Sequence, residues 1–591
     1  MALSRALLLL ASSLLLHAVP GGAHSDFKQN DKVDVYVNKV GPYANPHETY
    51  HFYSQPICRP EKIIHRSLSL GQVLEGDRMA ESAFDIHFQS PAERKSLCGQ
   101  KRLTTEETLS LIEAIETDYY FEIIIDDLRV RSLLGFVEEA NVFPHEHSVF
   151  LFTHFLFDIE YNDKNIIEVK LKMEKSSVLQ LKHDEGVTVD FVYSVKWTET
   201  KTPVADRPKE GEVFFSSRTL HVHWLSIFNS GLLVALLIVF VSIIVFSSVR
   251  RDLSKYNQRG DDDEDLLLDN GWKTIAMDVF RRPAHPMLLS AILGVGSQLL
   301  LLASVILAIG TADVINVHRH GLLNSLSVVL YALTSCIGGF ISARKYASLD
   351  GRHWVANINL TSLLFAGPVV IAWTLNNTIS WAYQSTQALL WTTVMVVLFI
   401  WVCIGYPLTV IGGICGRSIL VNSAAQTAPF RTRAIPRQLP PTECYHSTIA
   451  HSIIGGFLPF CAISVELSYI FPTIWGRESY TLFYILFIVF IILIAVVGCT
   501  SVALTYFQLN TENYHWWWRS LFVGGSVSLY IVLYGLFFLV ARSQMSGVLQ
   551  LTEFFTHLAL VAYASFLACG TVAHFSAQFF VHYIYSSVKS D

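Results

Sequence analysis

Polar and apolar positions are unevenly distributed along the 591-residue chain. Up to about residue 222 they alternate over short distances. Beyond Trp224, long apolar runs are separated by short polar pieces. In the first part, Val33, Val35 and Val37 alternate with Asp34 and Tyr36. Phe121–Ile125 and Ser148–Phe157 are rich in aromatic and β-branched residues, and Val187, Val189, Phe191, Tyr193 and Val195 fall on every second position. Period-two patterning predicts strands. Glu106–Thr117 instead spaces Leu109, Ile112 and Ile115 for one face of a helix. The apolar runs lie near 225–248, 287–312, 321–343, 354–375, 387–412, 448–472, 480–507, 521–541 and 554–581. Each is long enough to cross about 30 Å of hydrocarbon as a helix. At the start, Arg5 precedes an apolar core at Ala6–Leu16, and Gly21 and Ala23 put small residues at the −3 and −1 positions of a cleavage point after Ala23. That core is too short to span a bilayer and reads as a removed signal peptide.

The predicted fold is a polytopic α-helical membrane protein with nine transmembrane helices, preceded by a β-rich lumenal domain. Its parts are a signal peptide (1–23), the lumenal domain (24–222), a first transmembrane helix (223–248), a cytosolic loop (249–286), an eight-helix membrane domain (287–582) and a cytosolic tail (583–591). Nine crossings from a lumenal start leave the C-terminus in the cytosol. Charge tests this independently. The loops then assigned to the cytosol hold fifteen Lys and Arg, among them Arg250, Arg281, Arg344, Lys345, Arg437 and Arg519, against Arg319, Arg477 and Arg542 in the short lumenal loops. That is a positive-inside bias.

Composition narrows the function. Hydrophobic residues make up 52% of the chain and charged residues 16%, too apolar for a chain soluble throughout. A net charge of −6 argues against nucleic acid as a partner. Cys58 and Cys98 are the two cysteines of the lumenal part. An oxidising compartment invites a disulfide between them; two free buried thiols are the alternative. His145/His147, His221/His223 and His318/His320 come only in pairs, fewer than the three or four ligands of a zinc site, so no metal is expected. G-x-S-x-G and P-loop patterns are missing, and neither a catalytic residue nor a cofactor is expected.

Within the spans, Pro407, Pro459 and Pro472 predict kinks, and paired glycines such as Gly338-Gly339 and Gly412-Gly413 predict close helix packing. Glu466 and His574 are polar residues deep in apolar runs and must face the bundle or a cavity. Glu466 reads equally as a proton-linked or substrate-contacting group and as a structural hydrogen-bonding group. The acidic run Asp261–Asp265 reads as a solvated linker. Asp262 also stands four residues before Leu266-Leu267, the spacing of an acidic-dileucine sorting signal.

Several strings resemble the transmembrane 9 superfamily, the nonaspanins. They are Val37-Asn38-Lys39-Val40-Gly41-Pro42-Tyr43-Ala44-Asn45-Pro46-His47-Glu48-Thr49-Tyr50, His223–Ser230, Asn270-Gly271-Trp272-Lys273, Asp278-Val279-Phe280-Arg281, Gly455–Phe460 leading to Glu466, and Tyr514-His515-Trp516-Trp517-Trp518-Arg519. Ser67–Gly71 and Gly76–Ser82 are most similar to the member 1 branch. The resemblance implies Golgi and endosomal residence and a non-enzymatic role in delivering other membrane proteins to their membranes, with links to adhesion and phagocytosis. It implies client proteins with glycine-rich or polar transmembrane helices as partners, alongside the lipid bilayer. It also implies that Lys589 and Asp591, in a terminal K-x-D pattern, are read by the COPI coat. The alternative is a transporter or channel using the kinked helices and Glu466; no internal repeat of the spans supports it.

Overall fold

The computed structural model describes residues 26–141, 146–175, 177–182, 186–204, 207–208, scattered positions of 224–250, 272–312, 321–422, parts of 432–441, 444–476 and 482–586. The expected signal peptide, the acidic run with Asp262, Leu266 and Leu267, the tail residues Lys589 and Asp591, and the residues His145, His221, His223, His318 and His320 lie outside them.

The N-terminal domain is built from strands whose apolar faces meet. β1 (Val35–Pro42) pairs with β2 (Tyr50–His51), β3 (Ala80–Glu81) and β5 (Tyr119–Ile125), and β6 (Leu128–Leu133) completes that sheet. A four-stranded sheet runs β10 (Asn165–Met173), β9 (His154–Asn162), β12 (Thr188–Glu199), β4 (Ala92–Arg102). A third sheet is β11 (Val178–Leu181), β8 (Glu146–Phe152), β7 (Gly135–Asn141). The alternation read in 187–195 is real: Val189, Phe191, Tyr193 and Val195 of β12 are all buried in one core with Phe84, Phe155 and Phe157. The apolar run 148–157 is two strands, not one. It breaks at Thr153, where the chain leaves one sheet for another. Two helices complete the domain, α1 (Leu70–Leu74) and α2 (Thr105–Glu116). Ser69 and Thr104 each close a capping box at a helix start.

The membrane part contains eight helical segments long and apolar enough to cross a bilayer among the described residues. They are α3 (Pro286–Thr311), α4 (Leu322–Ser348), α5 (Trp354–Ala382), the continuous span formed by α6 (Trp391–Ile400) with α7 (Tyr406–Asn422), α8 (Thr448–Trp475), α9 (Phe483–Asn510), α10 (Trp516–Gly525) continued by α11 (Val527–Ala541), and α12 (Val548–Ser586). The run 225–248, expected as a further span, is described only in part. Those positions are helical, and Ile227 and Val234 pack against α8 and α9. Two expectations change. The seventh of these spans starts at Trp516 rather than 521, so Arg519, counted as a loop residue from its charge, is a helical residue only 6% exposed. Residues 249–286 are not all open loop, because Trp272–Ile275 forms a 3-10 turn with Trp272 buried.

Candidate functional site

One span stands apart from the others. Only 11% of the apolar window of Trp391–Ile419 is buried, against 28–50% for the other seven. Its inner side is made for close approach. A side chain on Gly412 would meet the Cys336 carbonyl of α4 at 1.9 Å, and one on Gly339 would meet the Thr409 carbonyl at 2.0 Å. The two backbones therefore touch through small residues. Between α6 and α7 lies one π-helical turn, Trp401–Gly405. Widening a helix by one residue leaves a carbonyl without its usual partner. Here Ser335 of α4 and Thr409 donate to the Gly405 carbonyl at 2.8 and 2.9 Å. The opposite face of the span is bare and apolar: Met395, Phe399 and Val402 are all exposed.

The bundle interior holds the polar groups. Asn357 of α5 donates to Ser342 of α4 at 2.8 Å, and Ser342 and Thr361 are 2.7 Å apart. Lys345 of α4 donates to the side-chain carbonyl of Gln578 of α12. His574 is fully buried; its Nδ1 lies 3.1 Å from the Trp517 carbonyl, and its ring stacks on Trp516 at 5.3 Å. Arg519 donates to the His446 carbonyl and to Nδ1 of His451. Glu466 is 3% exposed, on α8 fifteen residues beyond His451. At 1.5 Å per residue that is about 22 Å along the helix. The two polar residues singled out in the apolar runs therefore stand at different depths and form no joint centre. Both are buried.

The ends of the helices meet the N-terminal domain along a polar seam. Thr49 follows the tight turn after β1. Its carbonyl accepts from the Thr386 amide and the Ser385 hydroxyl, both at 2.9 Å, in the connection between α5 and α6. The Asn45 side-chain carbonyl accepts from the Ser546 amide at 3.0 Å. The His47 amide donates to Gln550 of α12 at 3.0 Å; its imidazole lies 3.3 Å from the Ile474 carbonyl and 3.6 Å from the Glu553 carboxylate, beside Trp475. Behind the seam, Asn38 donates to Asp77 and Glu122, Lys39 pairs with Asp77 at 3.1 Å, and Arg129 and Arg131 reach Glu122 at 3.4 and 2.9 Å. Sequence reading passed over this buried ionic cluster. Its traces were the polar pair Asn38-Lys39 and the lone Glu122, each inside an otherwise apolar strand. Cys58 and Cys98 are joined in a disulfide with Cα atoms 5.8 Å apart.

The family profile described as Endomembrane protein 70 matches residues 49–548. The chain belongs to this family, the transmembrane 9 superfamily. It is 47% identical over 583 residues to transmembrane 9 superfamily member 1 of Mus musculus, covering 97% of this chain and 95% of that protein. It is 39% identical to member 4 of Arabidopsis thaliana, covering 97% and 96%. It is also 39% identical to a putative phagocytic receptor 1b of Dictyostelium discoideum, covering 99% and 98%. No solved structure matches the chain. Several of the strings that carry the nonaspanin resemblance meet at the two ends of α12. Residues 45–49 hold the seam at its start. Trp272, Val279 and Trp516 meet near its finish, where Tyr585 donates to the Trp272 carbonyl at 2.6 Å and Trp516 donates to the Val279 carbonyl at 3.0 Å.

Proposed function

We propose that this nonaspanin is a non-enzymatic trafficking factor that binds transmembrane helices of other membrane proteins in Golgi and endosomal membranes. The observation that carries this reading is the nearly unburied span Trp391–Ile419. Its bare apolar face offers a second helix an area that no helix among the described residues covers. Its polar-assisted π turn lets the backbone adjust to what docks. Clients with glycine-rich or polar helices suit such a surface, since association between helices in lipid rests on packing and hydrogen bonds. One relative's name, a phagocytic receptor, is in keeping with a role at membranes that take up particles. In this reading the N-terminal domain is lumenal. The tail is cytosolic and follows α12 closely, so Lys589, Asp591 and the terminal carboxylate present a cation and a doubly anionic end to the COPI coat. Asp262, Leu266 and Leu267 would add a post-Golgi signal.

A photo-crosslinking residue at Phe399, with one at Leu533 as an equally lipid-exposed comparison, tests the client reading. Transmembrane peptides of other membrane proteins should be captured at position 399 and not at 533. Equal capture at both, or none at 399, would overturn it. For the tail, Lys589→Ser, Asp591→Ala and a bulky C-terminal tag should each move protein that has left the ER from the Golgi towards endosomes and the cell surface. Three native Golgi patterns would refute a role for the tail.

A further inference from the structure

A cavity of about 300 Å³ lies in the N-terminal domain against the seam, and its walls carry cations with no carboxylate among the described lining residues. Arg59, Arg78, His51 and His65 line it, over the apolar floor of Phe52 and Tyr53. Phe52 and Tyr53 pack edge to face at 5.4 Å, and the His51 and His65 rings also stand edge to face, at 6.3 Å. The disulfide of Cys58 anchors the segment that presents Arg59. Arg78 is held in place from two sides: its guanidinium donates to the Asp77 carbonyl at 2.8 Å and to the Ala388 carbonyl at 2.6 Å. Both acceptors are neutral; the neighbouring Asp77 carboxylate, held by Lys39 and Asn38, favours the guanidinium charge only through space.

Grouping basic side chains costs energy, and beside Arg78 only the buried Asp77 carboxylate opposes that cost. Desolvation, then Arg78, then His65 hold the His51 imidazole below its ordinary range, and desolvation likewise lowers Arg78. A fold keeps such a site where an anion offsets the repulsion. The cavity's place indicates the source. Arg78 reaches the connection between α5 and α6, and the exposed rings of Trp381, Tyr383 and Trp391 flank that connection. Exposed Trp and Tyr at helix ends mark the headgroup level of a bilayer. The volume matches a small ligand rather than a lone ion.

We infer that this cavity binds a phosphate-bearing headgroup, with Arg59, Arg78 and the two imidazoles on the phosphate and Phe52 and Tyr53 against its apolar flank. Guanidinium groups suit this through paired charge-assisted hydrogen bonds. The headgroup comes from a membrane lipid or from a soluble phosphate ester, and one experiment separates the two. The full chain is placed in phosphatidylcholine nanodiscs with and without phosphatidylinositol and titrated with glycerophosphoinositol. Retained lipid is read by native mass spectrometry. Phosphatidylinositol retained over phosphatidylcholine identifies the lipid source. Calorimetric binding of glycerophosphoinositol in pure phosphatidylcholine discs identifies the soluble one. In either arm, Arg59→Gln with His65→Gln should weaken binding by roughly ten-fold or more. Arg59→Lys, which keeps the charge, should retain most of it. Binding of neither probe to the unaltered chain, or equal binding by the double variant, overturns the inference.

Discussion

At the scale of single residues, buried charge is where this molecule is most exposed to substitution. Glu122 is fully buried on β5, and Asp77 is fully buried beside it. Burial pushes both carboxyls up, but Lys39, Arg129 and, for Glu122, Arg131 more than offset it and hold them below the ordinary carboxylate range. For Lys39 burial acts downward, and Asp77 with Glu122 raise the ammonium above its usual value. The signs fix the pH window. Stability from the depressed carboxylates is present above the unfolded carboxylate range and is lost as pH falls through their lowered values. That from Lys39 is present below the unfolded lysine range and is lost only as pH rises through its raised value. The cluster is thus unchanged between neutrality and mild acid. Glu122→Gln removes the buried carboxylate that Lys39, Arg129 and Arg131 share, leaving Arg129 its pair with Glu75 at 3.0 Å, and should destabilise the domain by about 3–5 kcal/mol. Hydrogen exchange of the intact protein should show β1 and β5 losing protection; unchanged protection would contradict it. Glu466 is a different case, a carboxyl inside the bundle with apolar neighbours such as Ile463 and Leu467 on its own helix. If hydrogen bonding is its role, Glu466→Gln keeps client delivery to the cell surface and Glu466→Leu loses it. Failure of the Gln variant would assign the role to the charge instead.

Among the elements, helices were easier to read than their ends. Runs of apolar residues cannot be anything but buried or lipid-facing, so α3, α4 and α8 begin within a residue of their expected starts. Ends were misjudged where aromatic and charged residues continue the helix. Trp516–Arg519 reads as loop because of its arginine, yet its indoles and guanidinium find acceptors on neighbouring segments. The β-domain was legible through period-two alternation in β1 and β12 and through the aromatic and β-branched run of β5. It was illegible where the chain changes sheets at Thr153, since no turn residue marks the break. The bare span was not legible as bare: 391–419 is more apolar than the spans beside it, but Phe483–Asn510 is more apolar still and better buried, and only packing shows that one face lacks a partner. The contact between α7 and α4 supplies a test. A side chain at Gly412 would strike the Cys336 carbonyl, which is backbone and cannot swing aside. Gly412→Val should push the span off α4 and cost about 1–3 kcal/mol or more. The native Cys336 of α4 and Cys415 of α7, which lie close enough to interact, should then be joined more slowly by a short bifunctional thiol reagent. An unchanged rate in folded protein would show that the small-residue seam does not set the packing.

Over the whole molecule, the N-terminal domain and the bundle are one mechanical unit only as far as the seam holds. The seam is mostly neutral hydrogen bonds, at Asn45, His47, Thr49 and Arg78, each modest alone. One contact allows no compromise. α1 meets the start of α4 at Gly71 and Gly321, where a side chain on Gly71 would lie 1.7 Å from the Gly321 carbonyl. Gly321 also has φ +73°, a left-handed conformation that other residues rarely adopt, so it cannot readily shift to make room. Gly71→Leu therefore forces the two parts apart at this point while leaving the domain core around Phe84, Phe155 and Tyr193 untouched. The domain should stay folded with Cys58 and Cys98 still bridged. Residues 383–390 and 545–550, which the domain covers, should exchange amide hydrogen faster. The bare span begins directly after that first segment, at Trp391, so a loosened seam should also lower crosslinking from Phe399 to client helices. Fast exchange with normal crosslinking would show that the domain and the client face act independently. Unchanged exchange in a folded Gly71→Leu protein would show that the contact between α1 and α4 does not hold the two parts together.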